Sequence, residues 1–271
     1  MTTTASFTLP RGSSRQHFRR QMEITRHLIG QRFDAQYRRA SLGVLWVWAE
    51  PMTRLVVFVL VFEKALQIRP GGNATIYLFV GILFIRSATQ GLNMATTSPM
   101  SNSALINLVG VDRRIFPVVA VGNAFVDLIL SIPVIFILII VQGETIPFHT
   151  LPLSIPIMAL QFELLVGAGF VLAALNVRIR DVTLLVNTLT TMLFYLTPVF
   201  WSPENIEGTG FEWIVDVNPL APLLLSQRDV LAWGEMPDWG ALGIVFVIAT
   251  VLLIIGWKMY TRVSGTMADH I

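Results

Sequence analysis

The stretch VTLLVNTLTTMLFYLTPVFWSPENI, Val182 to Ile206, decides the fold. No charged residue interrupts it before Glu204, and then Pro198, Trp201 and Pro203 crowd its end. An uncharged run of this length is at home in hydrocarbon, and prolines remove the backbone donors that would carry a helix further. The whole chain agrees: 54% of its residues are hydrophobic and 13% charged, against about 25% charged in soluble domains. With a mean hydropathy of +0.66, the expected fold class is all-α integral membrane.

A bilayer core of about 30 Å needs roughly 20 apolar residues per helix. Six windows qualify, near 45–66, 76–98, 115–141, 152–177, 182–200 and 239–260. Basic residues set their direction. Arg113, Arg114, Arg178, Arg180, Lys258 and Arg262 share a side with a start that holds eight arginines before residue 45. The segment 202–238 carries seven acids against Arg228 alone. The positive-inside rule then puts both termini in the cytoplasm and the acidic segment outside. Two domains are expected, a cytoplasmic tail with an amphipathic interfacial helix over 1–44 and a transmembrane domain over 45–271. A cleaved signal peptide is not expected, because no uninterrupted apolar core follows the arginines closely. The sequence pI near 9.3 is explained by arginines beside spans, where lipid headgroups meet them, so nucleic acid is not an expected partner.

Between Gln16 and Tyr37, Phe18, Met22, Ile29 and Phe33 fall on one helical face opposite Arg20 and Asp34, the pattern of an interfacial helix. Trp46 and Trp48 follow at interface depth, and Glu50 and Arg54 are spaced to pair across one turn. Arg86 stands near mid-span with no acid within a turn. It is read as facing an aqueous pathway or a subunit boundary, or as pairing with an acid on another helix, with Asp127 and Glu163 as candidates.

Several chemistries have no support in the residues. The chain has no cysteine, which removes thiol catalysis and cysteine metal sites. Its two lysines, Lys64 and Lys258, do not follow the glycine pattern of a phosphate-binding loop, so ATP is not expected on this chain. The four histidines are scattered, and no metal site is expected. No paired carboxylates at depth suggest a membrane enzyme such as a glycolipid transferase. Gln90, Asn93, Asn123 and Asn187 look like a wet lining or helix-to-helix glue.

The segments RRASLGVLWVWAEPM (38–52), NSALINLVGVDRRIFP (102–117), LNVRIRDV (175–182), YLTPVFWSPENI (195–206) and NPLAPLLLSQRDVL (218–231) resemble, in order and spacing, the membrane subunit of an ABC-2-type polysaccharide exporter. Among such exporters the chain is most similar to those of capsular polysaccharide, with O-antigen and teichoic acid exporters next. The resemblance implies a homodimeric permease in the bacterial inner membrane, with two copies of a separate ATPase subunit that bind ATP and Mg. It also implies a lipid-linked polysaccharide as substrate, and periplasmic and outer-membrane export proteins as further partners. Short re-entrant helices are expected before the last span.

Carried onto this sequence, the resemblance places the ATPase contacts on the arm, with Phe18 and Met22, and on a coupling helix Ser101–Leu108, with Asn102, Leu105, Ile106 and Asn107. Arg113 and Arg114 are expected to meet acids of the ATPase or lipid phosphate, and Asp181 to cap the next helix. The second span departs from the family pattern at Ile85 and Arg86.

A polar glycan cannot cross hydrocarbon and needs a lined canal. The expected lining is Trp46, Trp48, Glu50, Arg54, Arg86, Gln90, Tyr195, Phe200 and Trp201, since aromatic rings stack on sugar faces. For each ring the alternative is the ordinary interfacial belt facing lipid. A lipid or drug exporter of the same fold is the competing function, and it would need a lateral apolar entrance.

Overall fold

The computed structural model describes residues 43–61, 73–102, 112–179 and 181–265. Among them all regular structure is helical. The helices are α1 Trp46–Phe58, α2 Ala74–Ser101, α3 Ile115–Val141, α4 Ser154–Arg178, α5 Val182–Leu196, α6 Trp213–Val217, α7 Leu220–Arg228 and α8 Trp239–Ser264. Four of these, α2, α3, α4 with the 3₁₀ turn before it, and α8, are long and apolar enough to cross a membrane. The other two expected spans appear as shorter helices. α1 follows a 3₁₀ turn at Gly43–Leu45 and continues as a π turn to Val61; the rest of its expected span lies outside the described residues. α5 has 15 residues and stops at Leu196 rather than 200. The cause is local, because Pro198 pushes Thr197 out of the helical region to φ −87°, ψ 140°.

α2 is the most buried span and α8 the least. α2 touches α1, α3, α4, α5 and α7, so it forms the centre of the bundle. Ala124 of α3 and Leu165 of α4 come up against it at Gly91, where a Cβ would stand 3.6 and 3.7 Å from their side chains. α8 runs along α4, and two glycines set their separation. A Cβ on Gly167 would stand 2.7 Å from the Leu253 nitrogen, and one on Gly256 would stand 2.5 Å from the Gly167 carbonyl oxygen. Helices in lipid associate by such close backbone packing because no hydrophobic force separates side chain from solvent. Asp238 accepts hydrogen bonds from the Gly240 and Ala241 amides at 2.9 and 3.1 Å and so fixes where α8 begins.

α6 and α7 are too short to span. α7 is nonetheless inside the bundle: Leu220, Ala221, Leu223, Leu224 and Arg228 are all buried, against α2, α4 and α8. α1 and α5 lie at the margin, with Val56, Val57, Leu184, Leu185, Leu189 and Met192 exposed.

Candidate transport groove

Between α1, α2 and α5 runs a groove of about 530 Å³. α5 supplies Asn187, Thr190, Thr191 and Phe194, whose i, i+3, i+4, i+7 spacing puts them on one face. α2 contributes Thr89 and Asn93, and α1 contributes Arg54 and Phe58, each pair four residues apart. Asn93 Nδ2 donates to Thr190 Oγ1 across the groove at 3.1 Å. The threonine hydroxyls donate back to their own helices, Thr89 to Ile85 O at 3.0 Å and Thr191 to Asn187 O at 2.9 Å. Their remaining lone pairs can accept from a passing hydroxyl.

Of the three charges expected in the lining, Arg54 borders the groove, while Glu50 and Arg86 do not and connect to it through Arg54. Glu50 Oε1 accepts from Arg54 Nη2 at 3.1 Å, the pair that the four-residue spacing predicts. Glu50 Oε2 accepts from Arg86 Nη2 at 2.7 Å. The partner of Arg86 is therefore Glu50, not Asp127 or Glu163. Asp127 accepts instead from Gln90 Nε2 at 3.2 Å, which turns Gln90 toward α3. Glu163 accepts from Thr250 Oγ1 of α8 at 3.0 Å.

The expected aromatic lining divides. Tyr195 borders the groove and is 59% exposed. Phe200 stacks on Phe58 with centroids 6.0 Å apart and rings 10° from parallel. Phe194 meets both at 6.0 and 6.2 Å, so four rings close one end of the groove. Trp48 is turned elsewhere: its indole N–H donates to the Leu130 carbonyl at 2.8 Å, making it a strut between α1 and α3. Trp201 donates from Nε1 to Tyr195 O at 3.0 Å, which folds it back over the end of α5. Trp46 is 47% exposed and does not border the groove.

The loop after α5 is held by a residue that sequence reasoning counted only as an outside charge. Arg228 is 1% exposed and donates from Nε to Tyr77 O at 3.1 Å, from Nη2 to Val199 O at 2.7 Å and from Nη1 to Pro198 O. Its guanidinium lies 3.5 Å over the Tyr77 ring. Tyr77 Oη in turn donates to Trp201 O at 2.7 Å, and Asn218 Nδ2 donates to Thr197 Oγ1 at 2.9 Å. Gly81 leaves the space, since a Cβ there would collide with Arg228 Nη2. A planar fork of donors suits three converging carbonyls as a lysine would not.

At the opposite end of α2, Ser101 closes the helix and Asn102 Nδ2 bonds Ser98 O at 2.7 Å. Phe18, Met22, Leu105, Ile106 and Asn107 lie outside the described residues. Arg113 and Arg114 are engaged within the bundle. Arg113 donates to Ser264 O and its carbonyl accepts from Tyr260 Oη at 3.0 Å. Arg114 pairs with Asp112 at 2.7 Å and sits 4.7 Å over Trp257, and the Asp112 hydrogen bond holds its guanidinium above the ordinary arginine value. Both arginines thus tie the start of α3 to the end of α8. Asp181 occupies the cap position of α5 but makes no side-chain cap bond. Among the described residues no cluster of acids and histidines could hold a metal ion.

This arrangement, a helical bundle of apolar spans with a polar groove at its margin, belongs to a membrane transport component. The chain is a member of the ABC-2 type transporter family, whose pattern matches residues 25–231. It is 26% identical over 239 residues to an O-antigen export system permease protein RfbA of Klebsiella pneumoniae, covering 86% of this chain and 89% of that one. A protein of the same description from Myxococcus xanthus is 24% identical over 227 residues, covering 83% and 86%.

Proposed function

We propose that the chain is the permease subunit of an ATP-driven exporter that moves a polysaccharide out across the inner membrane, with both termini cytoplasmic. The observation that carries this reading is the groove: a row of amides and hydroxyls along α2 and α5 that ends on the rings of Phe58, Phe194, Tyr195 and Phe200. Amides and hydroxyls replace the water that glycan hydroxyls give up, and rings stack on the C–H faces of sugars. Each contact is weak, so a chain can slide rather than stick. The names of the relatives favour O-antigen over capsular polysaccharide as the glycan.

A single groove open on its α1 and α5 side does not enclose a chain. Two copies facing each other through those helices would, and the exposed apolar residues there support a homodimer. Two ATPase subunits would bind ATP and Mg and act through the arm 16–37 and the loop 99–114. The short buried helix α7, with its turns shielded by protein, supports a re-entrant segment. Outer-envelope export proteins would receive the product.

Reconstitution with the ATPase subunit in proteoliposomes tests the reading. Hydrolysis should rise when lipid-linked glycan is supplied, and glycan should appear on the far side of the membrane. Hydrolysis that responds to lipid or drug but never to glycan would replace this reading with the lipid-exporter one.

A further inference from the structure

We infer that the groove selects chains bearing an anionic group, a phosphate or a carboxylate, and that Arg54 is the residue that reads it. This rests on the export reading, because it assigns a substrate class to the same groove.

The charge count around Glu50 is unequal. One carboxylate serves two guanidinium groups, so the cluster carries a net positive charge. The two arginines do not share it evenly. Arg86 makes the shorter contact, 2.7 Å against 3.1 Å, and its side chain is 11% exposed where that of Arg54 is 47% exposed. Arg86 thus takes most of the carboxylate, and Arg54 keeps donors to spare. Among the described residues only Arg54 brings a charge to the groove wall; the rest of the lining is amide, hydroxyl or aromatic.

A guanidinium facing a confined space without a full counter-charge attracts an anion more strongly than it would in open water. The neighbours suit an oxyanion, because the Asn187 amide and the second amide hydrogen of Asn93 can donate to oxygens that Arg54 does not reach, while the threonine hydroxyls stay committed to backbone carbonyls. A mobile anion on a passing chain would complete the charge balance that Glu50 completes only in part. Glu50 also limits the grip. With Glu50 in place the attraction is that of about one positive charge rather than two, which allows release.

Three probes of equal length separate the possibilities, each titrated against the purified detergent-solubilised permease: maltohexaose, hexagalacturonate, and maltohexaose carrying a terminal phosphate. The expected result is binding of one or both anionic probes about tenfold tighter than the neutral one, the size of a single charge-assisted contact. Whichever probe shows it identifies phosphate or carboxylate as the feature read. Arg54→Gln should erase the preference, whereas Glu50→Gln should widen it. These opposite shifts cannot both come from misfolding. Equal binding of all three probes by the wild-type protein, or a preference that survives Arg54→Gln, overturns the inference while the export reading stands. Binding of none of the three removes both.

Discussion

The two sides of the bundle are built on opposite plans. Where α4 meets α8, glycines let backbones touch, Phe170 packs edge-on to Trp257 at 5.6 Å, and one acid, Glu163, is satisfied by one hydroxyl. Where α1 and α5 meet α2, the contact is held by polar pairs, a groove remains open, and a carboxylate bridges two helices. The first side is closed where the glycines meet and keeps only a mostly apolar cleft of about 330 Å³ nearer the start of α8, between Ile157, Leu160 and Glu163 on one wall and Trp239, Leu242 and Phe246 on the other. The second spends its polar groups on a surface, and that is where a substrate can be accommodated. Close backbone packing and the polar groove thus fall on different helices.

Substitutions can break this division, and the largest effect is expected at Arg228, which joins α7 to α2 and to the loop after α5. Arg228→Ala orphans three carbonyls, and with charge-assisted bonds at about 1.5–3 kcal/mol each the loss should be at least about 4.5 kcal/mol, read as a fall in thermal midpoint in detergent. Arg228→Lys should recover less than half of it. Gly256→Val should cost about 3 kcal/mol by driving α8 away from Gly167 and Phe170, with loss of the folded peak on size exclusion. Phe58→Leu removes a ring from the aromatic end and should cost about 1 kcal/mol, with glycan export reduced further than that stability loss explains. Asn93→Ala should change stability least, by about 0.6 kcal/mol, the mean of measured helix-to-helix hydrogen bonds in a membrane. Its effect on export in a complementation assay should nonetheless exceed that of any equally mild change on the α4 and α8 side. If Asn93→Ala exports normally while a conservative change at Glu163 or Thr250 abolishes export at full stability, the roles of the two sides are reversed.

Hydropathy was enough to find α2, α3, α4 and α8, because each long span is paid for by its own composition and needs no partner to be recognised. Helix ends were legible only where a local cause sat beside them, as Pro198 does beside Leu196. Glu50 with Arg54 was readable from spacing, since one turn of helix brings them together whatever surrounds it. Glu50 with Arg86 was not, because 36 residues separate them and only the packing of α1 on α2 joins them. The same limit explains Trp48, whose partner is a backbone carbonyl 82 residues away, invisible in any side-chain pattern. Arg228 misled in the other direction: among acids it looked like a surface charge, while its partners are carbonyls that every residue carries. The groove itself had a signal, the polar face Asn187, Thr190, Thr191 within an apolar helix, and one-turn spacing could have singled it out.

The fork of Arg228 has a bearing on the order of events during synthesis. The loop 197–201 ends α5, but the side chain that fixes its carbonyls is made about 30 residues later, and the ring that supports that side chain, Tyr77, is made long before. A nascent chain that has inserted α5 but not yet reached residue 228 has the bonds from Tyr77, Trp201 and Asn218 to hold that loop, but not the guanidinium that donates to the Pro198 and Val199 carbonyls. The two carbonyls just before Phe200 thus stay without their final partner until α7 has entered the bundle.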